Sequence, residues 1–309
     1  MKDRIVSVGY RPLPPAPRRA APARTIARWA LALAWRTRAT KVSLGLCAMV
    51  VILHVPQLVL TVLVSATAKR FADQGAGGAA PAALNVDTII GDTQGVLSSF
   101  VAAQTYFTVF ALAVIAAGLI AEDRRVGALD LYFARPLRLR DYVAGKLLAA
   151  WAVPALTIVL PFLALWLLAV GVTPAGLRAS LLWLGFPGLV GALLASVVLA
   201  TTVVGASALG ERGRTIGVIY VFVWLLLSAV GESLAANGFF AAGYLSPARD
   251  VATMIEALLD VGPPSVAAAS LKLRGSVNPS ALLSALSLLG FAALGLGALL
   301  ARLRREVAE

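Results

Sequence analysis

The residues best suited to chemistry or binding lie in one block of charge between two long apolar stretches. The block runs from Glu122 to Lys146. Its cations are Arg124, Arg125, Arg135, Arg138, Arg140 and Lys146, and its anions are Glu122, Asp123, Asp130 and Asp141. Ionised side chains are costly in hydrocarbon, so we expect the block to be a water-facing connection. Charges of both signs at this density suit docking on a soluble protein partner; the alternative is an ordinary polar loop.

The apolar residues of the block have the spacing of one helical face. They are Val126, Leu129 and Phe133. This spacing predicts a short surface helix over 122–135. Pro136 would end that helix, because proline cannot continue one, and a second helix is predicted to begin near Leu139 and to enter the membrane.

No motif supports catalysis. The sequence has no GxxxxGK[ST] phosphate loop, no GxSxG, no HExxH and a single histidine, His54. Cys47 and His54 are seven residues apart, which separates them by about 10.5 Å along a helix, so they cannot chelate one ion. We therefore expect no enzyme activity, no metal site and no cofactor in this chain.

Two ionisable residues associated with the apolar stretches are candidates for a substrate path or a gate. His54 lies within the first stretch, where an ionisable group often marks a functional position. A neutral histidine hydrogen-bonded within the bundle is the alternative. Glu232 lies at the outer end of the fifth stretch, where it would line or close a substrate exit, or be a solvated helix end.

The composition is that of a membrane protein. Hydrophobic residues make up 60% of the 309 residues and charged residues 14%, against about 45–50% and about 25% in soluble proteins. Six apolar runs have about the 20 residues needed to cross a bilayer. They lie near 42–64, 99–121, 147–170, 181–206, 215–236 and 281–301. The sequence therefore predicts an all-α membrane protein with six transmembrane helices over 24–305.

Particular residues predict how the spans pack. Pro154 and Pro161 predict kinks in the third span. Small residues predict close helix–helix approach in the fourth and sixth spans. These residues are Gly185, Gly188, Gly191 and Ala195 in the fourth span, and Gly290, Gly295 and Gly297 in the sixth.

The segments between and before the spans differ in character. Residues 1–23 are rich in proline and arginine and predict a flexible cytoplasmic tail. Residues 24–41 suit a helix in the headgroup region, or simply a basic flank. Residues 65–98 are expected to be a Gly/Ala-rich connection. In 237–280, Ser246-Pro247 is a helix-start pair that predicts a helix through Asp260, either dipping into the outer leaflet or lying outside it.

The basic residues set the orientation. With a cytoplasmic N-terminus, 21 of the 27 Lys and Arg residues fall on the cytoplasmic side, as the positive-inside rule requires. Both termini are then cytoplasmic and 237–280 is extracytoplasmic. Because the charge of +12 is concentrated at the ends of apolar runs, a membrane protein is favoured over a nucleic-acid-binding protein.

The charged block resembles that of the ABC-2 type permeases, the membrane subunits of ABC transporters. The matching residues are Glu122, Gly127-Ala128-Leu129-Asp130, Arg135-Pro136-Leu137 and Tyr142-Val143-Ala144-Gly145-Lys146. The six-span plan preceded by a basic helix extends the resemblance over roughly 24–305.

The resemblance implies a function and partners. Residues 122–135 would be a coupling helix seated on a separate ATPase chain that binds ATP and Mg, with two permease copies, identical or not, and two ATPases in a bacterial inner membrane. The interface residues would be Glu122, Asp123, Arg124, Arg125, Gly127, Asp130, Arg135 and Pro136. Arg138, Arg140 and Lys146 would hold phospholipid or the helix end. The direction would be export, and the apolar bundle hints at lipid-like cargo.

Two alternatives stay open from the sequence. One is a secondary transporter powered by ions, which would need ionisable groups in mid-span, where the sequence has almost none. The other is a structural subunit of a larger motility or metal-maturation assembly.

Overall fold

The part of the chain that the structure describes is almost entirely helical. A computed structural model describes residues 22–73, 86–129, 137–261 and 280–308, and no strand occurs within them. Within these ranges, six helices are long and apolar enough to cross a membrane. These are Arg38–Val64, Ile90–Ile115, Leu139–Val172, Ala175–Leu209, Gly213–Ala236 and Ala281–Arg305. The prediction of six spans is confirmed, and the chain has the architecture of a multi-pass membrane protein.

The N-terminal helix is separate from the first span. Helix α1 covers Pro22–Trp35 and α2 covers Arg38–Asp73, so the prediction of one helix over 24–41 is wrong at the bend between them. Thr37 causes the bend: its hydroxyl accepts a bond from the Thr40 amide at 3.2 Å and donates to the Ala34 carbonyl at 3.1 Å. It therefore caps the start of α2 and the end of α1 together. Of the predicted tail, residues 1–21 lie outside the described residues.

The second and third helices both extend further into the segment between them than the hydropathy of the sequence predicts. Helix α2 continues to Asp73, and α3 covers Val86–Ile115. The predicted connection over 65–98 is therefore wrong for 65–73 and 86–98, while 74–85 lies outside the described residues. Hydropathy detects the part of a helix that suits lipid, whereas a helix can continue through polar residues. At its other end α3 stops at Ile115 rather than at 121.

The third span contains a change of helix type at the predicted position. Helix α4 covers Ala121–Arg125, α5 covers Leu139–Pro154, and α6 covers Leu160–Val172. Between α5 and α6, Ala155–Val159 is π-helical. The two prolines of the span flank this segment, and each removes a backbone donor from the helical ladder.

The remaining helices complete the bundle. They are the 3₁₀ turn Ala175–Leu177, α7 (Arg178–Leu209), α8 (Gly213–Ala236), the 3₁₀ segment Phe240–Leu245, α9 (Pro247–Leu258) and α10 (Ala281–Ala308). Helix α9 starts as predicted, with the Ser246 hydroxyl accepting a bond from the Arg249 amide at 3.2 Å. Most of α9 is buried, and it packs against α3, α7 and α10. It is therefore part of the bundle.

Helices α7 and α10 cross with their backbones in close contact. A Cβ atom added at Gly205 would lie 2.3 Å from the Gly295 carbonyl oxygen, and one at Gly295 would lie 2.6 Å from the Thr201 carbonyl oxygen. Two backbones can approach this closely only where the side chain is a hydrogen atom. Gly290 and Gly297 have open space around them. The prediction of close packing in the last span is therefore confirmed at Gly295 alone among its three glycines.

Candidate functional site

The short helix α4 is fixed to the rest of the bundle at its first turn. The Ile120 and Ala121 amides donate to the Ser207 hydroxyl oxygen at 2.9 and 3.2 Å. Ser207 lies near the end of α7 and is fully buried. The first amides of a helix have no partner within the helix, so an acceptor from another element both satisfies them and fixes the helix position.

Asp123 connects α4 to α5 through a largely buried ion pair. Its carboxylate accepts bonds from the Lys146 ammonium at 2.6 Å and from the Tyr142 hydroxyl at 2.8 Å. The Lys146 side chain is 6% exposed and that of Asp123 18%. Tyr142 and Lys146 are one helical turn apart and therefore share a face of α5. The Lys146 nitrogen also lies 5.4 Å from the centre of the Tyr142 ring. The resemblance implies that Lys146 holds phospholipid or the helix end; in the structure its side chain is enclosed by protein and bonds to Asp123 of α4.

Arg124 connects α4 to the end of α7. Its guanidinium donates to the Ala208 carbonyl at 3.1 Å and to the Gly210 carbonyl at 2.9 Å. The last carbonyls of a helix carry partial negative charge, so a guanidinium there is favourable. Arg124 is thus turned towards the bundle.

Glu122 connects α4 to the start of α8. One carboxylate oxygen accepts a bond from the Arg125 guanidinium at 2.7 Å, and the other from the Gly213 amide at 3.2 Å. The bond from Arg125 is the main reason that the pKa of Glu122 lies below its ordinary value of 4.5, and the Gly213 amide lowers it further. We call Glu122, Asp123, Arg124 and Arg125, with their partners on α5, α7 and α8, the charged junction.

The charged junction should weaken in acid. Because the folded pKa of Glu122 is depressed, its contribution to stability is present above pH 4.5 and is lost as the pH falls through the folded pKa. We expect Glu122→Gln to lower the free energy of unfolding by about 0.2–1 kcal/mol at pH 7, since its side chain is half-exposed. The difference between wild type and variant should shrink as the pH falls from 7 and disappear below the folded pKa of Glu122. Melting curves of both proteins across this range test it, and a constant difference would contradict it.

The segment after α4 departs from the predicted continuous helix. Gly127 has a φ of +66°, in the left-handed region that favours glycine, and the helix ends at Arg125. The helix predicted over 122–135 is therefore interrupted at this turn. Val126 is 64% exposed and Leu129 is buried. Asp130, Arg135 and Pro136 lie outside the described residues.

His54 lies in the middle of α2, and Glu232 lies near the end of α8. The His54 Nδ1 is 2.8 Å from the Val50 carbonyl oxygen, and its ring packs edge-on against Phe100 with centroids 5.5 Å apart. These contacts match the interpretation of a histidine hydrogen-bonded within the bundle. Glu232 is half-buried near the end of α8. Within the described ranges no three His, Cys, Asp or Glu side chains are grouped to hold a metal ion.

Four predicted residues come together in the charged junction, but the contacts that fix α4 to the bundle were not predicted. Tyr142 and Lys146 carried a signal, since they are spaced by one turn at the start of a span. Ser207 and Gly213 carried none, because a lone serine and a lone glycine in apolar or turn sequence are common. No protein-family model and no curated protein matches this chain.

Proposed function

We propose that this chain is the permease subunit of an ABC-2 type transporter and that a separate ATPase drives it. The observation that supports the proposal most is the charged junction. One helix of five residues at the end of the bundle is bonded to α5 by Asp123, to α7 by Arg124 and to α8 by Glu122. A displacement of α4 would therefore act on three spans at once.

The mechanism follows from this connectivity. ATP can shift the bundle between two states only through contacts that differ in free energy between them. In the proposed complex, two ATPase chains bind ATP and Mg and close on one another. Each ATPase then moves helix α4 of one of the two permease copies. The junction transmits that movement to the spans, and substrate moves outward across the bacterial cytoplasmic membrane.

Purification of the tagged full-length chain from its native membrane in mild detergent tests the proposal. We expect a chain with a GxxxxGK[ST] loop to be retained, and the complex to hydrolyse ATP. Retention of a large assembly without an ATPase would instead support the structural subunit. A chain that is active alone and responds to an ion gradient would support the secondary transporter.

Substitutions of the neighbouring residues Arg124 and Arg125 should distinguish loss of the connection between α4 and the bundle from loss of ATPase docking. The sequence-based hypothesis is that reversing Arg124 and Arg125 together uncouples transport. Arg124 bonds into the bundle, whereas the Arg125 side chain is 55% exposed. We expect Arg124→Glu to lower the melting temperature, and Arg125→Glu to leave it nearly unchanged while reducing the retained ATPase about tenfold, a loss of about 1.4 kcal/mol in binding.

Arg304→Glu is the matched control for that experiment, because Arg304 is an exposed cation outside the junction. It should retain the ATPase as the wild type does. Equal loss with Arg304→Glu and Arg125→Glu would mean that general surface charge, and not the α4 segment, controls docking.

The orientation has its own test. In a Cys47→Ser background, a cysteine at exposed Asn237 should react with an impermeant maleimide added outside the cell, because 237–280 is placed outside. A cysteine at exposed Glu211 should react only after the membrane is opened. The reverse pattern of labelling would invert the proposed topology.

A further inference from the structure

The helix α1 and the start of α2 form a cationic surface with no carboxylate of its own. The cations are Arg24, Arg28, Arg36, Arg38 and Lys41, and all five side chains are exposed. No Asp or Glu occurs from residue 22 to residue 72. Within the described part of the chain these five cations form no ion pair, in contrast to Arg125 and Lys146. We call residues 22–41 the basic elbow.

The basic elbow also turns its largest apolar side chains away from the protein. Trp29 and Leu33 are each 69% exposed, and Trp35 is 57% exposed. Two tryptophans and a leucine on one short helix are unfavourable in water, so another apolar phase must cover them. Tryptophan prefers the boundary between hydrocarbon and headgroups, where its ring is buried and its N–H stays hydrated.

The face of α1 that carries its smaller side chains packs against α5. A Cβ atom added at Gly145 would lie 2.8 Å from the Ile26 Cβ and 2.9 Å from the Ala23 carbonyl oxygen. Ala27, one helical turn after Ala23, is also buried. The bulky and charged residues therefore stay on the outside of a helix that is fixed to α5, and Thr37 fixes the bend into α2.

An exposed apolar surface continues from the basic elbow along the first turns of α2. Val42, Leu46 and Met49 are 63%, 46% and 45% exposed, and they belong to a helix long and apolar enough to cross a membrane. Their apolar surface suits lipid. Cations at the edge of such a surface lie at the depth of phosphate groups, where each one attracts anionic headgroups.

We propose that the basic elbow binds the headgroups of anionic phospholipids, with Trp29, Leu33 and Trp35 in the interfacial layer and the five cations on the phosphates. Two kinds of contact are needed, because an amphipathic helix binds a membrane through buried apolar area and through charge together. This inference does not depend on the ATPase partnership, and its test uses the full-length chain alone.

The experiment compares two four-charge variants in nanodiscs with equal amounts of phosphatidylglycerol and phosphatidylcholine. The elbow variant is Arg24→Gln, Arg28→Gln, Arg36→Gln and Arg38→Gln. The control variant is Arg212→Gln, Arg214→Gln, Arg304→Gln and Arg305→Gln, which are exposed cations outside the basic elbow. Native mass spectrometry after extraction counts the lipids retained on the protein.

We expect the wild type and the control variant to retain phosphatidylglycerol in preference, and the elbow variant to lose that preference about tenfold or more. A variant in which the same four arginines are replaced by lysine should keep the preference for phosphatidylglycerol. This result would separate the effect of lost charge from that of misfolding. Trp29→Ala should weaken retention of both lipids alike.

Three results would overturn the proposal. Equal loss in the elbow and control variants would mean diffuse attraction to any basic surface. Competition by soluble glycerol phosphate at millimolar concentration would mean a site for free phosphate rather than a membrane contact. An unchanged lipid preference in the elbow variant, with loss of a co-purifying acidic protein, would assign the surface to a protein partner.

Discussion

Replacing Lys146 with methionine is expected to lower the free energy of unfolding by about 3 kcal/mol, the lower end of the range for breaking a buried ion pair. The variant leaves the Asp123 carboxylate with the Tyr142 hydroxyl as its remaining bond in the junction. The loss is large because a carboxylate that is only 18% exposed is poorly solvated once its counter-ion is gone. Unfolding in a mixed detergent titration and the melting temperature both measure it.

A double-mutant cycle separates the interaction energy of the Asp123–Lys146 pair from the cost of leaving either charge buried alone. Asp123→Asn should also destabilise, because the Lys146 ammonium then stays buried beside a neutral amide. The double variant should be more stable than the sum of the two single changes predicts, since neither charge is left alone. Strict additivity would show that the two side chains do not act as a pair.

The exposed pair of the same helix provides the control. Glu122 and Arg125 are 2.7 Å apart but are 45% and 55% exposed. Arg125→Gln should therefore cost less than about 1 kcal/mol. A loss as large as that of Lys146→Met would mean that burial is not what distinguishes the two pairs.

The second large effect is expected at the crossing of α7 and α10. Gly295→Val should prevent these helices from approaching, because the new side chain would meet the Thr201 carbonyl and the Thr202 backbone. Backbone atoms cannot rotate away as a side chain can, so we expect a loss of at least about 3 kcal/mol, the upper end for overpacking. The yield of monodisperse protein and the melting temperature should both fall.

Gly297→Val is the matched control on the same helix. Gly297 is exposed and has no atom within 4 Å of an added Cβ. Valine at a lipid-facing position is compatible with a helix in a bilayer, so yield and melting temperature should stay close to those of the wild type. Similar losses at Gly295 and Gly297 would show that helix propensity, rather than the crossing, controls stability.

The two predictions bear on different parts of the molecule. The α7–α10 crossing fixes the bundle, whereas the ion pair of Asp123 and Lys146 fixes α4 to the bundle. Gly295→Val should therefore reduce folded protein. Arg125→Glu, a change of an exposed residue of the junction, should leave folded protein that retains about tenfold less of its partner.

The location of the candidate site could be predicted from the sequence, but most of its contacts could not. The block from Glu122 to Lys146 is conspicuous because charge is rare in this chain. Its four first charges were expected to face a partner, yet three of them bond into the bundle. Glu122 reaches Gly213, which is 91 residues further on. Such a pairing depends on how the helices pack, and no local pattern contains that information.

The sequence by itself determined the number and kind of the long helices, because a bilayer requires each crossing segment to be apolar over about 20 residues and to satisfy its own backbone. That requirement is local and can be counted. Only the tertiary structure decided where helices continue through polar residues, which glycine lies at a crossing and which charges are enclosed. Those outcomes depend on distances between residues far apart in the chain: Gly295 meets Thr201, and Asp123 meets Lys146, because neighbouring helices bring them together.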